Sequence, residues 1–395
     1  MRCISRQSWA TDSADNWVLA LGYFEHSQSF VCSSSDGGLR GYLLEQASPL
    51  FHIKAHESTI NSLQVVDEYT VASCSTDGIK LWDLRTNSTT PVHILSNDRH
   101  SNFLSLDFRN NVLAGGTELV GADAEIHLWD LRNPGSLVRS FVDSHRDDIT
   151  DLKFHPTIDN YLMSGSTDGF VNVYDLNEQD EDDALHQVIT FSSVHSCHFT
   201  QERRIAVLSH METLAFHDLN DTKYEENNEN KPNDLGDIRT SLPDCEYVVD
   251  INPRGFISYG ANTQRKLTLL PFNPITEQFD TSKPAWFPDA HGEEVVRDLL
   301  VLPNSKNALT CGEDGHIRLW ELPYELQTYS FASSSPQDII VDDEDVAAEE
   351  KEDKKQKKEK KEKKEKKDKK HKKDKKDKHG SKSDKKKKEK RFKPY

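Results

Sequence analysis

The sequence lacks the features of membrane, secreted and disulfide-bonded proteins. No apolar run approaches the roughly 20 residues that a membrane-spanning helix requires, and the N-terminal MRCISRQSWATDSADNW has no apolar segment of the kind found in secretory signals. The six cysteines never form a CxxC pair, and most lie in apolar, strand-like runs, which favours reduced, buried thiols over disulfides or zinc ligands. The sequence therefore predicts an intracellular protein without a membrane partner.

Motifs for catalysis and for cofactor binding are also missing. The chain contains no phosphate-binding loop, no HExxH and no pair of carboxylates in a context that would separate their pKa values. The tetrapeptide HSCH is expected to place His195 and Cys197 on one side of a strand and His198 on the other, which is the wrong geometry for joint metal ligation. We therefore expect a protein that is not an enzyme and that holds neither a metal ion nor a cofactor.

What the sequence does contain is a strong separation of charge. The chain has 50 Lys and Arg against 67 Asp and Glu, a formal net charge of −17. Residues 351–395 hold 26 of the basic and 10 of the acidic residues, a net charge of +16, which leaves 24 basic and 57 acidic residues and a net charge of −33 for residues 1–350. This asymmetry predicts a basic tail with its own electrostatic partner, attached to a body that repels nucleic acid.

One pattern recurs along the acidic part of the chain. A small-residue cluster, Asp-Gly and an alternating apolar run precede an aromatic residue and an acid, most clearly in SCSTDGIKLWDLR at 73–85, SGSTDGFVNVYDLN at 164–177 and TCGEDGHIRLWELP at 310–323. The copy at 115–132 has an insertion where Asp-Gly would stand. The aromatic position recurs at steps of 40, 47, 45, 43, 53 and 50 residues, at Tyr42, Trp82, Trp129, Tyr174, His217, Leu270 and Trp320. The period-2 runs beside each turn predict strands, and four short strands account for each step.

These repeats resemble the WD-repeat family, whose units form the four-stranded blades of a β-propeller. The resemblance covers roughly residues 1 to 330 and implies an all-β, seven-bladed propeller at 1–332. The segment 144–194 is similar to the WD repeat-containing protein 89 branch of that family, which implies no particular activity. Because the first and last blades of such propellers share strands, we expect RCISRQSW near the N-terminus to complete the blade of Trp320; the alternative is TYSFAS at 328–333.

Three sets of His, Ser or Thr, Asp and an aromatic residue could be mistaken for nucleophilic triads. In the WD-repeat family these residue types form a hydrogen-bonded network inside a blade, which a core tolerates when every polar group is satisfied. A catalytic site would appear once, so the recurrence favours the structural role. The resemblance implies this network for His56, Ser73, Asp77 and Trp82; for His145, Ser164, Asp168 and Tyr174; and for His291, Thr310, Asp314 and Trp320. The units around His217 and Leu270 have lost most of the set, and we expect less regular blades there.

The sequence WDLR occurs on two consecutive units, at 82–85 and 129–132. In the WD-repeat family, a WDxR ending on adjacent blades is associated with docking onto the adaptor of cullin-type ubiquitin ligases through the arginine. The resemblance therefore implies that Arg85 and Arg132 bind such a partner. The alternative is that WDLR is a frequent way to end this strand, and that both arginines are solvated or paired with nearby acids.

The net charge of −33 predicts a basic protein client, because long-range charge complementarity speeds association and rejects acidic competitors. Ribosomal proteins and histones are the abundant basic candidates in a eukaryotic nucleus. Two acidic segments, EQDEDD at 178–183 and DTKYEENNENKPNDLGD at 221–237, are predicted as excursions between strands, and the second is predicted to be disordered. The alternative role of this charge is solubility.

The C-terminal part of the chain is predicted to contain an acidic linker at 333–350 and a disordered or transiently helical, Lys-rich tail at 351–395. In the linker, Ile339, Ile340 and Val341 precede a run of acids and resemble a SUMO-interacting motif. The lysine tracts resemble the tails of nucleolar ribosome-assembly proteins and predict nuclear import and weak, non-specific contact with RNA or DNA; the alternative is a solubilising tail. The predicted docking peptide at the end of the chain is Arg391, Phe392, Lys393, Pro394 and Tyr395.

These features predict a non-enzymatic scaffold in the nucleus, enriched in the nucleolus. Its acidic propeller is expected to bind a basic protein client in ribosome biogenesis or a related nuclear process, as a monomer within a larger complex. The alternative is the substrate receptor of a cullin-RING ubiquitin ligase that docks through the two WDLR motifs.

Overall fold

Seven antiparallel sheets follow one another along the chain. The computed structural model describes residues 1–11, 15–86, 89–134, 136–219, 232–329 and 331. Strand β1 (Ile4–Ala10) comes first, and the first three blades follow it. Blade 1 contains β2 (Val18–Phe24), β3 (Ser29–Ser34), β4 (Gly38–Leu43) and β5 (Pro49–Lys54). Blade 2 contains β6 (Ser62–Val65), β7 (Thr70–Ser75), β8 (Gly78–Asp83) and β9 (His93–Leu95). Blade 3 contains β10 (Phe103–Arg109), β11 (Val112–Thr117), β12 (Ala124–Asp130) and β13 (Leu137–His145).

The remaining blades complete the series. Blade 4 contains β14 (Ile149–Phe154), β15 (Tyr161–Ser166), β16 (Phe170–Asp175), the short helix α1 (Glu181–Ala184) and β17 (Leu185–Thr190). Blade 5 contains β18 (Val194–Gln201), β19 (Arg204–Ser209), β20 (Thr213–Asp218) and β21 (Asn233–Asp237). Blade 6 contains β22 (Tyr247–Asn252), β23 (Phe256–Ala261), β24 (Lys266–Asn273), β25 (Gln278–Phe279) and β26 (Ala285–Pro288). Blade 7 contains β27 (Val296–Val301), β28 (Asn307–Gly312), β29 (His316–Glu321) and β1. Two single 3-10 turns lie at Ile238–Thr240 and Asn262–Gln264.

The sheets form a closed ring. The first strand of each blade contacts the first strand of the next, and the ring closes where β27 meets β2. The predicted all-β, seven-bladed propeller is therefore confirmed, and all seven predicted anchor positions, from Tyr42 to Trp320, fall on the third strand of a blade. Second strands such as β7 and β15 are buried on both faces because each sheet packs between two neighbours, which explains their short runs of small and apolar residues.

The N-terminal strand closes the ring, as the sequence predicts. Strand β1 pairs antiparallel with β29 along its length, with Trp9 opposite Ile317. The Trp9 side chain is 2% exposed and its ring packs against Phe30 and Tyr42 of blade 1, with centroid separations of 4.9 and 5.9 Å. Its indole N–H donates to the Gln46 carbonyl at 2.7 Å. The first strand therefore fastens blade 7 and also packs against blade 1.

The alternative closing segment, TYSFAS, takes another path, so that alternative is wrong. After β29 the chain runs past blade 6, where the Tyr329 N–H donates to the Arg254 carbonyl at 2.9 Å. Phe331 then packs against His155, with ring centroids 5.6 Å apart, at the hydrophobic cluster between blades 4 and 5. Glycine is needed at 255, because its φ is 112° and a Cβ there would lie 2.6 Å from the Tyr329 ring.

Blade 6 departs from the regular pattern, whereas blade 5 forms a four-stranded sheet like the other blades, so the irregularity expected around His217 is wrong. In blade 6, both β25 and β26 pair with β24, which confirms the expected irregularity around Leu270. In blade 5, the predicted disordered excursion at 221–237 is wrong at its C-terminal end, because Asn233–Asp237 is the outer strand β21 and pairs with β20. Residues 221–231 lie outside the described part of the chain. The edge of β20 needs a partner, and NDLGD supplies backbone groups for that pairing although it lacks an apolar period.

The cysteine side chains lie mostly in the protein core. All six cysteines are free thiols, and five of them are buried. Burial raises the pKa of the Cys32 thiol to about 12, so it is unreactive in the folded protein. Within the described ranges, no helix has the length and apolar character needed to cross a membrane.

The HSCH segment forms no metal site in the described structure. A β-bulge between Val194 and Ser196 separates His195 from Cys197: His195 is exposed, whereas Cys197 is fully buried. The expected shared side for these two residues is therefore wrong, because the bulge inserts His195 as an extra residue. His198 instead pairs with Asp250 of blade 6 at 2.9 Å. No group of three or more His, Cys, Asp or Glu side chains suited to a metal ion occurs among the described residues.

Candidate partner-binding face

The order of strands within a blade divides the loops into two sets. The turns between second and third strands and the connections between blades lie at one end of the sheets, and we call this end the Asp–Gly face. The other turns lie at the opposite end, which we call the WDLR face. The described loops of the Asp–Gly face are 11, 15–17, 35–37, 55–61, 76–77, 96–102, 118–123, 146–148, 167–169, 191–193, 210–212, 238–246, 262–265, 289–295 and 313–315.

Blade 2 contains a closed hydrogen-bonded network beneath this face. His56 Nδ1 hydrogen bonds to the Asp77 carboxylate, and His56 Nε2 lies 2.7 Å from Ser73 Oγ. The Trp82 indole N–H donates to the same hydroxyl oxygen at 3.0 Å. Burial lowers the pKa of His56 although Asp77 opposes the shift, so the neutral ring donates from Nδ1 and accepts the Ser73 proton at Nε2. Every member of the network has a partner.

Blade 7 repeats this arrangement with threonine in place of serine. His291 Nδ1 lies 2.7 Å from Asp314, and His291 Nε2 lies 2.8 Å from Thr310 Oγ1. The Trp320 indole N–H donates to Thr310 Oγ1 at 3.0 Å. The pKa of Asp314 falls to about 2, because the hydrogen bonds from His291 and Arg318 outweigh the effect of burial.

Blade 4 holds the third set. His145 Nδ1 lies 2.9 Å from Asp168, and His145 Nε2 lies 2.6 Å from Ser164 Oγ. The Tyr174 hydroxyl is 3.5 Å from Ser164 Oγ, so tyrosine makes a longer contact than tryptophan does in the other two blades. The hydroxyl-bearing residues of the three networks are each 0% exposed, at Ser73, Ser164 and Thr310. Hydroxyls buried in this way cannot reach a substrate, so the three sets act in packing the blades.

The Asp–Gly face carries much of the acidic excess. Its described loops contain eighteen Asp and Glu residues against four Arg and no Lys. Four of the carboxylates, Asp36, Asp77, Asp168 and Asp314, are already paired with an Arg or His side chain. Exposed carboxylates remain, among them Glu57, Glu293 and Glu294. A dense field of one sign on a single face attracts cationic partners over distances of about a Debye length.

Apolar side chains are exposed among these acids. Trp17 is 43% exposed, with the Arg297 guanidinium 5.7 Å from its ring centroid, and Met211 is 62% exposed. Leu119 and Val120 project from the insertion of blade 3, and Phe170 lies at the start of β16. Exposed apolar residues inside a charged surface are typical of protein interaction sites.

Carboxylates on the inner strands join neighbouring blades. Asp298 of β27 accepts a hydrogen bond from the Leu21 N–H of blade 1 at 2.9 Å, and Asp107 of β10 accepts one from the Phe154 N–H of blade 4 at 2.6 Å. Burial raises the pKa of both Asp298 and Asp107 to about 6. The sequence does not reveal these groups, because an isolated Asp in a strand does not show whether it contacts a neighbouring blade.

A comparison with curated proteins shows the family. An uncharacterized WD repeat-containing protein of Saccharomyces cerevisiae is 42% identical over 316 residues, which cover 78% of this chain and 79% of the relative. The chain belongs to the WD-repeat family. The model of the WD domain, G-beta repeat, also matches residues 135–175 and 282–321, which include the third strands of blades 4 and 7. WD-repeat proteins generally bind protein partners and typically act as non-enzymatic scaffolds.

Two further relatives of this WD-repeat protein match shorter parts of the chain. The WD repeat-containing protein 89 homolog of Dictyostelium discoideum is 31% identical over 172 residues, which cover 42% of this chain and 45% of the relative. The nuclear pore complex protein nup43 of the same organism is 27% identical over 166 residues, which cover 40% of this chain and 37% of the relative. The likeness to the protein 89 branch agrees with the resemblance found in the sequence.

The two WDLR arginines of this WD-repeat protein are exposed on adjacent blades. The Arg85 and Arg132 side chains are 62% and 71% exposed, and each pairs with the Asp of its own WDLR motif, at 2.7 and 2.6 Å. These pairings lower the pKa of Asp83 and of Asp130 to about 2. Both arginines therefore lie on the WDLR face, where they are accessible and also paired with their own acids.

The remaining predicted binding residues lie outside the described part of the chain. They are Ile339, Ile340 and Val341 of the linker and Arg391, Phe392, Lys393, Pro394 and Tyr395 at the end of the tail. The boundaries at 333–350 and 351–395 stay predictions.

The structure also shows functional contacts that the sequence reasoning missed. The insert EQDEDD forms α1, and its Glu181 carboxylate accepts hydrogen bonds from the Val142 and Asp143 N–H groups of β13, at 2.8 and 3.0 Å. This acid therefore covers the free edge of an outer strand, a position that otherwise invites pairing with another chain. In blade 3, Glu125 and His127 of β12 form a polar cluster that the sequence analysis did not predict. The insertion at 118–123, just before these residues, is the sequence signal that could have indicated it.

Proposed function

We propose that this WD-repeat protein is a non-enzymatic nuclear scaffold whose Asp–Gly face binds a basic protein client. The observation that carries the proposal is the charge of this face, eighteen acids against four arginines in its described loops. The exposed Trp17 and Met211 supply apolar contacts within that field. Charge complementarity provides fast association and rejection of acidic proteins, and apolar anchors provide the binding energy that survives physiological salt.

Ribosomal proteins and histones are the client classes that fit this chemistry, in ribosome biogenesis or a related nuclear process. Nuclear location is supported by the relative named as a nuclear pore complex protein and by the lysine tracts of residues 351–395. Enrichment in the nucleolus, and weak contact of the tail with RNA or DNA phosphates, follow from the composition of those tracts. We expect the protein to act as a monomer within a larger complex.

Charge reversal on the Asp–Gly face is expected to weaken client binding about tenfold at low salt, because three reversed charges each cost a few tenths to 1 kcal/mol. The variant combines substitutions of three exposed acids, Glu57→Lys, Glu293→Lys and Glu294→Lys. Binding to purified core histones and to purified ribosomal proteins is measured by biolayer interferometry at two salt concentrations, with serum albumin as the acidic reference.

The matched control carries the same change in net charge on the opposite face. It combines substitutions of three exposed acids of the WDLR face, Glu45→Lys, Glu178→Lys and Glu202→Lys. We expect this control to weaken binding less than threefold. Equal weakening by both variants would show attraction by net charge alone, and unchanged binding in the first variant would contradict a client site on the Asp–Gly face.

A second candidate function is substrate reception in a cullin-RING ubiquitin ligase. The favouring observation is the exposure of Arg85 and Arg132 on adjacent blades of one face. If the adaptor docks there, its acidic groups must displace Asp83 and Asp130 from the two guanidiniums. The double variant Arg85→Glu and Arg132→Glu is then expected to lose the ligase adaptor in affinity purification followed by mass spectrometry. Unchanged recovery of the adaptor would end this hypothesis.

A further inference from the structure

A cavity lies beside the polar cluster of Glu125 and His127 in blade 3. The cavity has a volume of about 450 Å³ and lies beside the outer strands of blades 2 and 3. Its mouth is bordered by Arg99 and by three apolar side chains, Ile94, Leu137 and Val142, which are 61%, 45% and 37% exposed. Its polar lining includes the Glu125 carboxylate, which is only 7% exposed, and its apolar lining includes the ring of Trp129. Apolar side chains around a few converging polar groups are the usual composition of a binding pocket.

Blade 3 lacks the hydrogen-bonded network of blades 2, 4 and 7, and a different set of polar groups borders the cavity. Gly115 lies opposite His127 in the same register that places Ser73 opposite Lys80 in blade 2. The serine hydroxyl that accepts from Trp82 in blade 2 therefore has no counterpart below Trp129. Asn97 lies in the connection that enters blade 3, as His56 lies in the connection that enters blade 2, and its Nδ2 donates to Glu125 at 3.1 Å.

Three other blades show what normally fills the equivalent position on the third strand. There a basic side chain pairs with the acid of the turn: Arg40 with Asp36 at 2.8 Å in blade 1, Lys80 with Asp77 at 2.7 Å in blade 2, and Arg318 with Asp314 at 2.7 Å in blade 7. The register places Arg40 opposite Cys32, Lys80 opposite Ser73 and Arg318 opposite Thr310, so these positions are equivalent. In each pair, a cation on the third strand neutralises the charge of the carboxylate in the turn before that strand.

Blade 3 has an acid on the third strand itself, Glu125, and lacks a Lys or Arg at the position equivalent to Lys80. His127 occupies the position of Lys80, and burial lowers its pKa although Glu125 opposes the shift. His127 Nε2 lies 2.9 Å from Glu125 Oε2, and its Nδ1 lies 2.8 Å from Ser140 Oγ. The cation at the carboxylate is Arg99, which approaches Glu125 Oε1 at 3.0 Å from the mouth of the cavity with 48% of its side chain exposed. A half-exposed ion pair of this kind contributes little to stability and is readily exchanged.

We propose that this cavity is a subsite for an arginine side chain of the basic client, whose guanidinium replaces that of Arg99 at the buried Glu125 carboxylate. The proposal rests on the proposed function, since it locates one contact of the same client. The guanidinium would donate to Glu125 Oε1, the oxygen that Arg99 contacts in the structure, because Oε2 already accepts from two other side chains. Its planar face can also stack on an aromatic ring such as Trp129. The apolar side chains at the mouth contact the methylene groups of the arginine and the apolar residues beside it.

The test uses full-length protein with 13C-labelled histidine rings and a short peptide as the probe. The peptide is acetyl-Gly-Leu-Arg-Leu-Gly-amide, with lysine and citrulline versions, and the NMR signal of His127, assigned with a His127→Gln variant, reports occupancy. We expect the arginine peptide to shift this signal saturably and the uncharged citrulline peptide to bind roughly tenfold more weakly or worse, because a hydrogen bond to a charged partner is lost. Equal binding of the arginine and citrulline peptides would overturn the proposal.

Two variants are expected to act in opposite directions. Glu125→Gln keeps the shape of the side chain and an oxygen for His127, and it should weaken the arginine peptide roughly tenfold or more. Arg99→Ala removes the exchangeable cation and should tighten binding about two- to fivefold. Because Arg99 lies at the surface, its substitution keeps the proposal testable even if Glu125→Gln disturbs folding. Weaker or unchanged binding in Arg99→Ala would contradict the exchange.

The outcome is separable from that of the proposed function. If the peptide binds as described but histones and ribosomal proteins do not, the subsite stands and the client class is wrong. If those proteins bind through the Asp–Gly face while the peptide leaves His127 unchanged, the subsite is wrong and the scaffold function stands.

Discussion

Removal of residues 1–10 is expected to abolish cooperative folding of the propeller. The deletion takes away β1, leaves the edge of β29 unpaired and exposes the apolar side chains around Ile317. Burial of Trp9 alone corresponds to about 5 kcal/mol at ~25 cal/mol per Å², and the β1–β29 hydrogen bonds add to this. The sum is comparable to the whole stability of a typical domain, about 5 to 15 kcal/mol. Thermal unfolding followed by circular dichroism, together with size-exclusion chromatography, measures the effect.

Single substitutions provide the controls for this deletion. Trp9→Ala is expected to cost about 3 to 5 kcal/mol, because it leaves a cavity between blades 7 and 1. Trp17→Ala removes the same side-chain type at a position that is 43% exposed and should cost less than about 1 kcal/mol. A deleted protein that unfolds within a few degrees of the intact chain would show that β1 does not hold the ring closed.

Asp298→Asn is expected to stabilise the protein by about 2 to 3 kcal/mol at pH 7.5 and to have little effect near pH 4. Burial raises the pKa of Asp298 to about 6. The folded state therefore keeps the proton of this carboxyl group up to about pH 6, whereas the unfolded state releases it near pH 4. The folded protein therefore loses stability as pH rises from about 4 to about 6, and the loss is complete above that range. Asparagine avoids the buried charge and can still accept the hydrogen bond from the Leu21 N–H.

Asp151→Asn is a matched control for which the opposite change in stability is expected. It accepts a hydrogen bond from the Cys197 N–H at 3.0 Å, as Asp298 does from Leu21, but the Lys153 ammonium lies 2.6 Å from its carboxylate. Asp151→Asn removes the anion beside that ammonium and should destabilise the protein at neutral pH. Urea unfolding of both variants from pH 4 to pH 8 distinguishes them. The raised pKa would be contradicted if the free energy of unfolding of Asp298→Asn differed from that of the unmodified protein by the same amount at every pH.

The sequence predicted the ring because the repeat is carried by residues that the blade itself needs. Tyr42, Trp82 and Trp129 lie on third strands that are buried between neighbouring sheets, so large side chains recur there at the spacing of a blade. Even His217 and Leu270, which lack most of the motif, fall on the same strand, because the spacing is set by four short strands and their turns. The closing role of β1 was predictable from the resemblance to the WD-repeat family, whose first and last blades share strands.

The remaining features depend on contacts between segments that are far apart in the chain. Glu181 lies in a run of acids that reads as solvent-exposed, and only the position of blade 3 beside it shows that its carboxylate covers the edge of β13. NDLGD at 233–237 has no apolar alternation, and it forms a strand because β20 lies beside it. The pairing of Glu125 with Arg99 joins β12 to the connection that enters blade 3, about 25 residues earlier in the chain. Local pattern does not encode such neighbours.

The sharing of blade 7 between the two ends of the propeller has a consequence for its synthesis. Strand β1 leaves the ribosome long before its partner β29, which ends at Glu321. At cellular rates of about 5 to 20 residues per second, the intervening segment of roughly 300 residues takes on the order of 15 to 60 seconds to make. During that interval the edge of β1 is unpaired, and the Trp9 side chain lacks its contacts with β29. A newly made chain therefore depends on chaperones, or on early docking of Trp9 against blade 1, until translation reaches the last blade.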